Sequence, residues 1–168
     1  NSAIAVSVNA SDYGATPADA IAFQRRIERA AFLQGGGNYF APMQTVGDFL
    51  EGRVGSEPAT VLPSYRDGRV KIADMNSVLP EFVCRGLKRG IVSFDRKLSG
   101  FSASDAILTG VETRTSAPVR IMRNEELVAI AKSAVYPCGE GAGYAGGIMS
   151  AAVDGLRIAQ AMCENEEI

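Results

Sequence analysis

Apolar residues along this chain recur with two periods, and the switches between them mark the elements. Ala3 to Val8 (AIAVSV) is a short apolar run rich in β-branched residues, which predicts a buried strand. A turn follows at Asp12-Tyr13-Gly14. Thr16-Pro17-Ala18-Asp19 then carries the marks of a helix start: a capping hydroxyl, proline at the first helical position and a carboxylate in the first turn. Ala20, Phe23, Ile27, Ala30 and Ala31 recur at spacings of three and four, with Arg25, Arg26, Glu28 and Arg29 facing water, until Gly35-Gly36-Gly37 ends the helix. From Asn38 to Arg69 the pattern is irregular, broken by Pro42, Gly47, Gly52, Gly55, Pro58 and Pro63, with one short helix around Thr45 to Leu50. A loop of about 30 residues is long for a self-contained domain, so this segment is expected to pack against another surface.

Helical spacing returns at Leu79, Phe82, Val83 and Leu87. Asn76 or Ser77 caps this helix, Pro80 lies in its first turn, and Arg85, Lys88 and Arg89 crowd its negative end before Gly90. A second short helix from Ile91 to Leu98 closes at Gly100. Ala106 to Glu112 and Val119 to Met122 predict two strands, separated by Arg114-Thr115-Ser116-Ala117-Pro118, and Ser133 to Cys138 predicts another. Ile148, Ala151, Ala152, Leu156, Ala159 and Met162 then recur at helical spacing, so the last element is a helix ending near Cys163, with Glu164 to Glu167 as a frayed tail. The sum is an α+β fold: small mixed sheet with packed helices, a final strand, glycine-rich loop and helix, and no complete Rossmann unit.

Composition narrows the chemistry. At 168 residues, 46% hydrophobic and 21% charged, the chain is long enough to bury a core, and its net charge of -2 gives no electrostatic reason to bind nucleic acid or an anionic membrane. No apolar run reaches the roughly 18 residues that span a bilayer, and no export leader is visible. The absence of histidine excludes Ser-His-Asp and Cys-His catalysis and every His-containing zinc site within these residues. Cys84, Cys138 and Cys163 lack metal-knuckle or redox-pair spacing, which suits reduced thiols in a cytoplasmic protein and predicts no metal site. The chain opens with Asn1 rather than Met, which suggests a piece of something larger.

The densest motif is Tyr136-Pro137-Cys138-Gly139-Glu140-Gly141-Ala142-Gly143-Tyr144-Ala145-Gly146-Gly147. Gly141, Gly143 and Gly146 form a G-x-G-x-x-G between a predicted strand and a helix, the local arrangement of a dinucleotide fingerprint. A first βα unit of that kind also needs a second strand with an acidic residue about 20 residues on, and the chain stops after one helix. The loop is therefore either a tight strand-to-helix turn or the closing element of a site whose opening element lies elsewhere.

Two segments, Glu112 to Ile121 (ETRTSAPVRI) and Tyr136 to Gly155, resemble the C-terminal part of a family of uncharacterised FAD-dependent dehydrogenases. The resemblance extends over nearly the whole chain, including NSAIAVSV, the GGGNYFAP stretch and the Gly100-Phe101 turn. It implies that residues 1–133 are a substrate-type inserted domain and residues 134–168 the closing flavin contact. It also implies an N-terminal FAD-binding half of the same polypeptide as partner, with hydride transfer to flavin in the intact protein and a small-molecule substrate. By the same resemblance, Gly139, Glu140, Gly141, Gly143, Gly146, Gly147 and Ile148 line the cofactor. Glu140 accepts a hydrogen bond from a ribityl hydroxyl, and Gly146, Gly147 and Ile148 present backbone N–H groups to the pyrimidine edge of the isoalloxazine. The chain alone, lacking the first half, is expected to bind FAD weakly or not at all.

Several residues keep two readings. Arg114 and Arg120 either anchor an anionic substrate beside the flavin or occupy alternating exposed positions of a hairpin. Cys138 is either a redox thiol or an ordinary core residue, and Tyr144 either stacks on the cofactor or packs. The rival function is a non-catalytic interaction domain whose glycine loop binds nothing. A phosphate-binding nest is disfavoured because the loop holds no lysine.

Overall fold

A computed structural model describes residues 2–114 and 116–166. The chain divides into two compact units: Asn1–Tyr13 with Ala22–Thr113, and Gly14–Ile21 with Arg114–Ile168. The elements are α1 (Ala10–Tyr13), α2 (Pro17–Gln34), β1 (Ala41–Thr45), α3 (Val46–Glu51), β2 (Val70–Ile72), α4 (Glu81–Asp95), β3 (Ile107–Thr109) and α5 (Ile148–Glu166), with single 3-10 turns at Tyr65–Asp67 and Met75–Ser77. This is an α+β architecture with one three-stranded mixed sheet, and no Rossmann unit occurs among the described residues.

The first unit is built on β1, the centre of the sheet order β2-β1-β3. β1 runs parallel to β2, with Ala41 opposite Val70 and Met43 opposite Ile72, and antiparallel to β3, with Met43 opposite Thr109 and Thr45 opposite Ile107. All five residues of β1 are buried. Thr45 ends the strand and at once caps α3, its hydroxyl accepting from the Asp48 N–H at 3.3 Å. Gly52 closes α3 in the left-handed region at φ 71°, where glycine carries no Cβ penalty. Phe49 of α3 enters a core with Val46, Met75, Cys84 and Ile91, flanked by Leu79, Leu87 and Leu108.

Buried polar groups here are each matched. The side chain of Gln44 donates to the Arg53 carbonyl and accepts from the Met75 N–H at 2.9 Å, tying β1 to the turn before α4. The segment from Asn38 to Arg69, irregular in sequence, thus holds the central strand, and two carboxylates fasten much of its remaining length. Asp48 accepts from the Ser56 N–H and hydroxyl, both at 2.9 Å. Asp105 accepts the backbone N–H groups of Ala59, Thr60 and Val61 together with the Thr60 hydroxyl. These donors, the Thr60 hydroxyl first, hold the Asp105 carboxyl down to about 2 from 3.8. A folded-state value below the unfolded one means a contribution fully present above about pH 4 and lost as pH falls through about 2. Asp105→Ala is therefore expected to speed amide exchange at residues 59–61 at neutral pH, and the native protein should show the same loosening only on strong acidification.

α4 departs from the expected break at Gly90. It continues as one helix to Asp95 because Ile91, 1% exposed, is locked in the core just beyond the glycine. Its start is also later than Asn76 or Ser77: Asp74 caps the Met75–Ser77 turn, and Pro80, extended, precedes the helix proper. No strand forms over residues 3–8. Ile4 and Val6 turn inward in strand fashion, but Ile4 packs on the core and Val6 lies against Gly86 of α4, with no neighbouring strand to bond.

In the second unit the expected start of α2 is present. The Thr16 hydroxyl accepts from the Asp19 N–H at 3.2 Å, and Asp19 accepts the Thr16 N–H at 3.0 Å. The strands expected over 119–122 and 133–138 do not form; only a single bridge, Arg123 with Ala129, remains. α5 extends past Cys163 to Glu166. No helix among the described residues is long and apolar enough to cross a membrane.

Candidate functional site

With no strand to lead into it, the glycine loop is held by side chains. Arg123 and Asp154 form a two-pronged pair, Nη2 to Oδ1 at 2.7 Å and Nη1 to Oδ2 at 3.1 Å, with side chains only 7% and 8% exposed. Arg123 also donates to the Pro137 carbonyl at 2.8 Å, and Asp154 accepts the Gly139 N–H at 2.9 Å. The pair thus clamps the first residues of the loop to the second turn of α5. Each partner favours the charged form of the other: the hydrogen bonds from Arg123, then from the Gly139 N–H, hold Asp154 below the usual carboxylate range, and Asp154 raises Arg123.

Tyr144 supplies the other side of the clamp. Its ring lies 3.7 Å from the Arg123 guanidinium and 5.0 Å from that of Arg120, and its hydroxyl donates to the Ile121 carbonyl at 3.1 Å while accepting the Arg123 N–H at 3.2 Å. Arg120 donates through Nε to the Gly143 carbonyl at 2.8 Å. These contacts pack the Tyr144 ring against the two arginines. Arg120 grips the loop; Arg114 is exposed at the start of the unit, next to Thr115, which lies outside the described residues. Cys138 is exposed, not core.

The glycines separate into two kinds. Gly139 and Gly143 have φ of 69° and 82°, and a Cβ on Gly143 would lie 2.7 Å from the Val119 carbonyl oxygen. Their own fold requires glycine. At Gly141 and Gly146 the backbone is not in the left-handed region, and a Cβ would meet nothing within 4 Å; at Gly147 the nearest atom is the Ser150 hydroxyl at 3.8 Å. Nothing inside the described residues requires glycine at those three positions. Gly143→Ala is expected to destabilise the chain by about 1–3 kcal/mol, whereas Gly141→Ala should stay within about 0.5 kcal/mol. Parallel urea titrations of the two variants provide the comparison.

Beside the open glycines, α5 begins at Ile148, 91% exposed, with no acidic residue in its first turn. The first N–H groups of a helix have no acceptor within it and carry the positive end of the dipole. Glu140 is exposed one residue before Gly141. No group of three or more acidic or cysteine side chains among the described residues is placed to hold a metal ion.

Residues 1–115 match the family described as FAD-dependent protein, C-terminal domain-like, and the chain belongs to that family. A protein of Clostridium beijerinckii described as an uncharacterized protein is 48% identical over 169 residues, covering 100% of this chain and 32% of its own length. The chain therefore spans about a third of that relative. The family match ends at residue 115, beside the Thr113 boundary of the first unit, so the glycine loop and its clamp lie beyond it, in the part that aligns with the clostridial protein.

Proposed function

We propose that these residues are the substrate-type domain and closing flavin segment of an FAD-dependent oxidoreductase, a dehydrogenase when intact. The observation that carries this reading is the pair Gly141 and Gly146, glycines with open space where a Cβ would stand and no conformational need of their own. The family that residues 1–115 match is FAD-dependent, which supports FAD as the cofactor of the intact parent, and FAD in the space beside Gly141 and Gly146 is our reading of the loop. When bound, FAD supplies the two-electron acceptor for a hydride taken from substrate. The chain's own part is to position and polarise. Glu140 offers acceptor oxygens to a ribityl hydroxyl, and the N–H groups of Gly146, Gly147 and Ile148 offer donors where negative charge gathers. The Arg123–Asp154 clamp keeps those donors aimed without reorganisation, which is where electrostatic preorganisation has its value. An N-terminal FAD-binding half outside these residues completes the site.

Two measurements test it. Fluorescence titration of the 168-residue chain with FAD is expected to show weak binding or none, and tight one-to-one binding would contradict the shared site. The intact parent is expected to be yellow, and Gly146→Val in it should lower bound FAD at least about tenfold, the equivalent of roughly 1.4 kcal/mol, while leaving the fold unchanged by circular dichroism. A colourless, folded parent would instead favour a non-catalytic interaction domain.

A further inference from the structure

α5 has two apolar sides, and the second unit uses only one. Asp154 and Ile158 are buried, with Ala151 beside them. Ile148, Met149, Ala152, Val153, Leu156 and Ala159 recur along the other side and are exposed, Leu156 at 71%. Exposed Cys163 continues the same row. No charged residue interrupts it, since Arg157 and Glu164 fall on its flank by helical spacing. Exposed Gln160, which donates to Glu164 at 3.0 Å, is the polar residue within the row, and an apolar stripe of about three turns, from Ile148 to Ala159, is unusual on a surface meant for water.

We infer that this stripe is the docking face for the flavin-binding part of the same longer polypeptide, whose contacting surface is correspondingly apolar. The inference rests on the reading of the chain as one part of a flavoprotein. Two observations select that occupant over a second copy. The 48% identical relative carries about two thirds of its length outside the aligned region, so ample chain exists to cover the stripe. The stripe also begins at Ile148, the residue that opens α5 beside the open glycines, so a surface that closes over the loop continues directly onto it. Size argues the same way. A stable complex of separate chains needs roughly 800 Å² per partner from about 20–30 residues, and one helix face falls well short. A tethered surface avoids the entropy of association, so a small face suffices.

Cys163 provides the readout. In the isolated chain its thiol should react with iodoacetamide at the rate of an exposed cysteine, and in the intact parent at least about tenfold more slowly, with each site read by peptide mass spectrometry. Leu156→Glu or Val153→Glu in the parent should restore the fast rate while buried Cys84 stays unlabelled, which certifies the fold. Equal rates in the isolated chain and the parent would overturn the inference. So would slow, concentration-dependent labelling of the isolated chain with a dimer in sedimentation, which would assign the stripe to a second copy. Flavin absorbance on the same samples separates the two claims. Slow labelling in a colourless parent supports docking and removes the flavin reading, and equal rates in a yellow parent remove docking alone.

Discussion

Asp154→Ala is expected to lower the stability of the second unit by about 3–5 kcal/mol, because it leaves the Arg123 guanidinium buried without its counter-ion. Three links depend on that carboxylate: both prongs from Arg123 and the Gly139 N–H. Arg123→Ala should cost a similar amount and also free the Pro137 carbonyl. The double variant should be less damaged than the sum of the two, since the large part of each single loss is the stranded partner charge. Urea unfolding of the four proteins closes the cycle, and strict additivity would show that the pair is not coupled. The pH dependence has a definite sign. Asp154 is held below its ordinary value in the folded state, so its contribution is present above about pH 4 and disappears as acid titrates the folded carboxyl. Asp154→Ala should flatten that acid limb.

In the first unit the largest loss is expected at Phe49. It is 0% exposed, enclosed by Val46, Met75, Cys84 and Ile91, and the Lys88 ammonium lies 5.1 Å from its ring. Phe49→Ala should cost about 3–5 kcal/mol through lost transfer energy and the cavity left behind. Phe49→Leu, which keeps most of the volume, should cost about 1–2 kcal/mol. A helix of six residues such as α3 has little stability of its own, so its amides should exchange freely in Phe49→Ala. Amide exchange across α3 and α4 measures this; protected α3 amides in Phe49→Ala would show that the helix does not depend on its core anchor.

The legibility of these features depends on their range in sequence. α2, the Thr45-led α3, the Phe82 to Leu87 part of α4 and α5 were visible because helical periodicity is a local property, whereas the cap expected at Asn76 or Ser77 stands before α4, which begins at Glu81. β1 was hidden by Pro42, which ordinarily argues against a central strand, and by burial on both faces, which removes the alternation of a half-buried strand. Ala3 to Val8 has strand composition and even strand-like alternation, but a strand needs a partner, and Ile4 and Val6 found a core and a helix instead. Gly90 failed as a stop because tertiary burial of Ile91 outweighs the cost of one glycine within a helix. At the candidate site the glycines were legible and their supports were not. Arg123 and Asp154 lie 31 residues apart, and a lone Asp in AAVDG reads as a solvated position. The one available signal was spacing, since Asp154 stands three residues after Ala151 and four before Ile158, on the side that becomes buried. Sequence also showed that the last helix was apolar without revealing that much of its apolar stripe faces outward.

The sheet carries a consequence for handling the protein. Its two outer strands, Val70–Ile72 and Ile107–Thr109, are three residues each, and Lys71 stands exposed on one of them. So short a rail, with a cation on it, gives an incoming strand too few backbone partners to add on, and runaway stacking of sheets is suppressed at its source. Precipitation of this chain should therefore follow its greasy surfaces rather than fibre growth, and mild detergent should prevent it where β-breakers would not.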